Sequence, residues 1–252
     1  MGHRFSCRGK RPGLALLGLY LLAAGASAQQ AAPCAGQAQA MQEQLADWPQ
    51  LKRYQAENAA LPPPAEDQQR VVFFGDSITE GWGRTGSATF FPGKPYVNRG
   101  IAGQTTAQMV VRLRQDVIAL KPAAVVILAG TNDIAGNTGP ATPQMIQDNL
   151  ASMAQLAQAN GIRVVLASLL PASDYPWKPG LAPAPKIRSL NDWIRSYAAA
   201  HGAVFLDYHA ALDNGQGGLS RQVSADGVHP NAAGYALMRP LAESAVQAAL
   251  AR

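Results

Sequence analysis

Cysteine is nearly absent. The 252-residue chain has two, Cys7 and Cys34. Cys7 falls inside an expected leader, so the remaining chain can form no internal disulfide and must rely on an ordinary apolar core. An excess of one charge is lacking too. The formal net charge of +5 is misleading, because four of the 21 Lys/Arg (Arg4, Arg8, Lys10 and Arg11) lie in residues 1–28, which hold no acid. Residues 29–252 carry 17 Lys/Arg against 16 Asp/Glu, which leaves no electrostatic footprint for nucleic acid or an anionic membrane. No apolar run is long enough to cross a bilayer: Leu14–Ala24 falls well short of the roughly 18–20 residues a span needs, so no stable membrane anchor is expected. Internal repeats, low-complexity tracts and compact metal-ligand motifs are missing as well. So is the Gly-x-Ser-x-Gly elbow, since Ser77 is followed by Ile78-Thr79. With 48% hydrophobic and 15% charged residues, the composition excludes collagen-like, coiled-coil and fully disordered chains.

Three regions are legible. A basic stretch, the apolar run and Ala26-Ser27-Ala28 read as a signal peptide over 1–28, cleaved before Gln29, with export to the periplasm or beyond. Ala31-Ala32-Pro33 gives Cys34 a poor lead-in for a lipoprotein. Residues 29–66 form an extension: a helix over Ala35–Trp48, a stop or kink at Pro49, a second helical stretch over Leu51–Leu61, and a linker at Pro62-Pro63-Pro64. It is expected to lie on the main domain rather than fold alone. The main domain is 67–252, large enough to bury roughly 70% of its unfolded surface.

From Arg70 onward, apolar runs alternate with helical segments. Val71–Phe74, Ala123–Ala129 and Ile162–Ser168, with weaker runs at Tyr96–Asn98 and Ala203–Leu206, read as strands buried on both faces. Helices are predicted over Thr105–Leu120, Thr142–Asn160, Lys186–His201 and Asn231–Ala249, with Gly161 and Gly202 where C-caps belong. Strand and helix repeated in this way imply a parallel sheet wrapped by helices. In such sheets sites form at the carboxyl ends of the strands, so polar residues just after a strand are candidates and those within helices are mostly surface.

That rule selects Gly75-Asp76-Ser77, Asn98-Arg99-Gly100-Ile101-Ala102-Gly103 and Gly130-Thr131-Asn132-Asp133. Near the C-terminus, Asp226-Gly227-Val228-His229-Pro230 precedes the last predicted helix. With these four blocks in order across 71–231, the chain resembles the SGNH-hydrolase superfamily, the GDSL esterases and lipases. The resemblance implies a flavodoxin-like three-layer α/β sandwich with a five-stranded parallel sheet. It implies Ser77, Asp226 and His229 as catalytic residues, and Ser77, Gly103 and Asn132 as the oxyanion hole.

The residues support the same reading. Ser77 follows a strand, where its hydroxyl is either exposed for attack or caps a helix. A serine needs a base, and three histidines lie beyond the leader. His201 ends a predicted helix and reads as structural. His209 follows the fifth strand with only Asp207 nearby. His229 has Asp226 three residues earlier, so the carboxylate can accept from Nδ1 and leave Nε2 for the nucleophile; a turn cap preceding Pro230 is the plainer alternative. Asp76 and Asp133 read as braces for the loops around Ser77 and Asn132. Trp82, Tyr175 and Trp177 either wall a pocket or cover the sheet edge.

The function expected is a secreted serine esterase needing neither metal nor organic cofactor, acting on short acyl groups of carbohydrate or small esters. Alternatives are an acyltransferase or lysophospholipase-type lipase with the same triad, a metal-dependent phosphoesterase using Asp76, Asp226 and His229, and a catalytically silent carbohydrate-binding protein.

Overall fold

The computed structural model describes residues 35–84 and 87–252, in two units, Met1–Trp48 and Pro49–Arg252. The expected leader, which includes Cys7, lies outside the described residues, and so does Cys34. In the first unit, α1 spans Ala35–Ala46.

The second unit is built on five parallel strands: β1 (Val71–Gly75), β2 (Tyr96–Gly100), β3 (Ala124–Leu128), β4 (Arg163–Ala167) and β5 (Val204–Leu206). Their order is β2-β1-β3-β4-β5, which agrees with the sheet expected. Val71 pairs with Tyr96 on one side and Ala124 on the other. Because successive side chains point to opposite faces, each strand feeds two cores. Val72, Phe74, Val125, Ile127 and Leu166 lie with Met109, Leu113, Leu150, Met153 and Ile187, from α4 (Thr106–Asp116), α6 (Pro143–Ala159) and α7 (Ala184–Ala200). Val71, Phe73, Val126, Leu128 and Val165 lie with Ile78, Leu212, Tyr235, Met238 and Val246, from α3 (Ser77–Gly81), α8 (Tyr208–Leu212) and α9 (Ala232–Leu250). Each such side chain, buried to within a few per cent, stabilises the fold by about 1.5–3 kcal/mol.

Residues 49–66 belong to the same compact unit as the sheet, for a physical reason. Residues 49–66 are pinned to the sheet's first edge by polar contacts that hydrophobic periodicity does not reveal. Tyr54 is 5% exposed; its hydroxyl donates to the Gly100 carbonyl, and the Arg53 and Arg99 guanidinium groups both lie 4.6 Å from its ring centroid. On α2 (Gln55–Ala60), Asn58 donates to Asp116 at 2.7 Å and accepts from Arg99 at 2.7 Å. Arg70 donates to the Pro62 carbonyl at 2.6 Å.

The short helices α3, α5 (Thr131–Ala135) and α8 leave no signal in the sequence, because one turn is too short to show a 3.6-residue period. The expectation that polar residues within helices are surface residues fails on α4, where Arg112 and Asp116 are fully buried. Among the described residues no helix is long and apolar enough to cross a membrane.

Candidate active site

The sheet order reverses at β1, with β2 on one side of it and β3 on the other. The crevice beyond the carboxyl ends of such strands is where ligands bind in open α/β sheets. Here β1 delivers Ser77 and β3 delivers Asn132.

Gly75, Asp76 and Ser77 each have a mechanical task. A Cβ on Gly75 would fall 2.1 Å from Thr79 Oγ1 and 2.8 Å from the Leu128 carbonyl oxygen, so only glycine lets α3 start directly off the strand. Asp76 is the N-cap, its carboxylate accepting from the Ile78 N–H at 3.0 Å. Ser77 is therefore not the cap. It is the first residue of α3, where the backbone N–H has no intrahelical acceptor.

The Ser77 hydroxyl meets His229 Nε2 at 2.9 Å, and His229 Nδ1 meets Asp226 Oδ2 at 2.7 Å. Asp226 Oδ1 is held by its own loop, accepting from the backbone N–H of Val228 at 2.9 Å and of His229 at 2.8 Å, and from the Ser224 hydroxyl at 3.1 Å. Partial burial pushes the Asp226 carboxyl up, but the His229 N–H, the imidazole and the Val228 N–H outweigh it and hold it near 2. It is an ionised acceptor at neutral pH, and its two oxygens divide between the loop and the imidazole.

Three loops are tied together opposite this pair. Asn132, 2% exposed, donates to the Gln104 carbonyl at 2.9 Å and to Asp76 Oδ2 at 3.3 Å. Among the described residues the Gly103 N–H has no acceptor. Asp133 accepts from the Thr106 backbone N–H at 2.9 Å and from its hydroxyl at 2.6 Å, so both aspartates do brace the loops. Arg112 lies beneath, donating to the carbonyls of Gly75 and Arg99, each at 2.9 Å, and to the Gln104 side chain at 2.5 Å. Sequence reasoning missed Arg112 because a polar residue inside a helix carries no mark of burial.

The other candidates separate. Trp82 is 3% exposed among Phe73, Phe90, Phe91 and Tyr235, so it is core. Tyr175 is buried and stacks on Trp177 at 5.0 Å. Trp177 is 43% exposed, with its ring 6.1 Å from that of His229. His201 caps α7 and stacks on Tyr197. His209 lines a different cavity, of about 230 Å³, with Arg188, Asp192 and Arg195. An apolar cleft of about 310 Å³ is lined by Ile134, Ile146 and Leu190 and by none of the five residues expected to act. Asp76, Asp226 and His229 do not gather into a metal-binding group; among the described residues no three or more His, Cys, Asp or Glu do.

Asp76 gives a pH prediction. Burial pushes its carboxyl up to about 6, against the opposing pull of the Ile78 N–H and of His229. The folded chain thus holds this proton more tightly than the unfolded chain, whose aspartates titrate near 3.9. Ionising Asp76 therefore costs stability as pH rises from about 4 to about 6, and the cost is constant above that. The urea midpoint of Asp76→Asn relative to the parent should rise across this window and then level off; a difference that is flat from pH 4 to 7 would contradict the assignment.

Comparison with known proteins places the chain in a family of lipases and acylhydrolases. It belongs to the GDSL-like lipase/acylhydrolase family, whose pattern matches residues 73–237. The crystal structure of a GDSL-like lipase from Bacteroides thetaiotaomicron is 46% identical, with a TM-score of 0.76, covering 80% of this chain and 99% of that one. Esterase TesA of Pseudomonas aeruginosa is 36% identical over 138 residues, covering 53% of this chain. The acetylxylan esterase of Xylanibacter ruminicola is 27% identical over 233 residues, covering 75% of this chain. The matches span 60% and 45% of the lengths of these two curated relatives.

Proposed function

We propose that this protein is an exported serine esterase that cleaves short acyl groups, acetyl foremost, from carbohydrate or other small esters through a covalent acyl-enzyme. The observation that carries the reading is the continuous Ser77–His229–Asp226 chain of contacts at 2.9 and 2.7 Å.

With Asp226 ionised, the imidazole donates Nδ1–H to it and presents a basic Nε2 to the Ser77 hydroxyl. Ser77 Oγ attacks the ester carbonyl as its proton passes to Nε2. The tetrahedral oxyanion is received by the N–H groups of Ser77 and Gly103 and by the Asn132 amide, each worth about 10²–10³ in turnover. The long 3.3 Å bond from Asn132 to Asp76 is the one that yields to the oxyanion. His229 then protonates the departing alkoxide, and water, deprotonated by the same nitrogen, releases the acid.

Trp177 supports a ring-shaped alcohol. Stacked on a buried tyrosine and half open beside His229, it offers a rigid flat face where the leaving group departs. The activity of the Xylanibacter relative, an acetylxylan esterase, supports the same substrate class. Export rests on the leader in residues 1–28.

The test is covalent labelling with a fluorophosphonate, followed by peptide mapping. The adduct should fall on Ser77, and turnover should decline along a chain-length series of p-nitrophenyl esters from acetate upward, with acetate released from acetylated xylan. No labelling would overturn the serine mechanism. Labelling with a preference for long chains would overturn only the acyl class.

A further inference from the structure

Asn137 lies two residues beyond the end of α5, the helix that begins at Thr131 beside Asn132. The helix closes on itself there. Gly136 takes the left-handed conformation (φ +69°) that an L side chain resists. The Gly136 N–H returns to the Asp133 carbonyl at 2.9 Å and the Asn137 N–H to the Asn132 carbonyl at 3.0 Å, a Schellman ending. This turn carries the Asn137 side chain back to the start of its own helix.

Once there, it uses both ends of its amide. Asn137 Nδ2 donates to Asn132 Oδ1 at 2.8 Å and to the Gly103 carbonyl at 3.3 Å. Its Oδ1 accepts from the Trp177 indole N–H at 3.1 Å. One exposed side chain thus touches two of the expected oxyanion donors' residues and the aromatic face beside His229.

We propose that Asn137 is a positioning residue: it fixes which way the Asn132 amide faces, and so keeps the Asn132 N–H₂ aimed at the reacting carbonyl. A primary amide has one acceptor end and one donor end, and nothing in its shape prefers either orientation. On one side of Asn132 stand a carbonyl oxygen and a carboxylate, acceptors for its N–H₂. On the other side the partner is the Asn137 N–H₂, which donates to Oδ1. Asn137 makes the orientation unambiguous, and the bond to Trp177 fixes the rotamer that does so.

The proposal rests on the esterase reading and on Asn132 as an oxyanion donor, and the experiment separates them. Asn137→Asp keeps an acceptor for Trp177 but puts oxygen against Asn132 Oδ1, so the amide is repelled on that side and held only by its contacts to Gln104 and Asp76. We expect kcat for p-nitrophenyl acetate to fall about 10–100-fold, part of the value of one oxyanion donor, with KM within about twofold. The inhibition constant of a boronic acid, which mimics the tetrahedral oxyanion, should weaken by the same factor. Asn137→Ser, which adds no charge, should show the same pattern. On an Asn132→Ala background either substitution should cost nothing further, because the residue acts through Asn132. Melting temperature should stay within a few degrees, since Asn137 is exposed.

Unchanged kcat and boronate affinity in both variants would overturn the proposal. So would a loss that persists undiminished on the Asn132→Ala background, or one confined to KM and melting temperature. If Asn132→Ala itself leaves kcat unchanged, it is the oxyanion reading that fails.

Discussion

Ser77→Ala is expected to lower kcat on p-nitrophenyl acetate by at least about 10⁴-fold while leaving the melting temperature within about 2 °C of the parent. The size of the first effect comes from chemistry. Without the hydroxyl there is no acyl-enzyme, and the imidazole and oxyanion donors can only assist direct attack by water, which leaves the small residual rate seen when one member of such a chain is removed. The smallness of the second comes from the fold. The cap of α3 is Asp76, not Ser77; alanine is well tolerated in a first helical turn; and the hydroxyl's partner is His229. Titration of p-nitrophenol release and a thermal melt on the same preparation check both halves. A variant that loses activity and also melts far below the parent would mean that Ser77 is structural.

Arg112→Met should be the most destabilising exchange in the floor of the site. The guanidinium is fully buried, donates to the Gly75 and Arg99 carbonyls and to Asp116 at 3.1 Å, and sits 4.1 Å over the Phe74 ring. Burial pulls its pKa down to about 10, against the opposing pull of Asp116, so it remains charged at neutral pH. Methionine fills similar space but leaves Asp116, also fully buried, without its cation. Breaking a buried pair in this way costs about 3–5 kcal/mol, about 10 °C of melting temperature in a domain of this size. Adding Asp116→Leu should recover part of that loss, because the stranded charge goes with it. If the double exchange is as unstable as the single one, the carbonyl contacts rather than the ion pair hold the site floor. Activity should fall with either variant, since the Gly75 carbonyl and the Gln104 side chain lose the group that locates them.

The central strands β1 and β3 were readable because they are buried on both faces, so Val71–Gly75 and Ala124–Leu128 are unbroken apolar runs; the edge strands β2 and β5 are only partly buried and read as weaker runs. The long helices α4, α6, α7 and α9 were readable because each is long enough to show an apolar face, and α4, α6 and α9 also begin at a Thr or Asn. Ser77 and Asn132 stood out because each lies in a short polar segment directly after an apolar run, and Asp226 and His229 because a carboxylate stands three residues before an imidazole. The sequence was silent where polar residues contact polar residues across long separations. Tyr54, Arg112 and Asn137 each look like surface residues in their local stretch, and only the fold shows what they touch. The aromatics show the same limit: Trp82 and Trp177 both lie in loop-like sequence, yet one is core and the other faces the imidazole.

The Ser77 oxygen and its imidazole partner are 152 positions apart, and the loop bearing the imidazole leads at once into α9, whose Tyr235 hydroxyl donates to the Ile78 carbonyl at 2.8 Å. Chemistry therefore waits on the last helix to dock. A chain that lacks its final thirty or so residues carries Ser77 but neither Asp226 nor His229, so on the proposed mechanism the order of synthesis delivers the nucleophile long before its base.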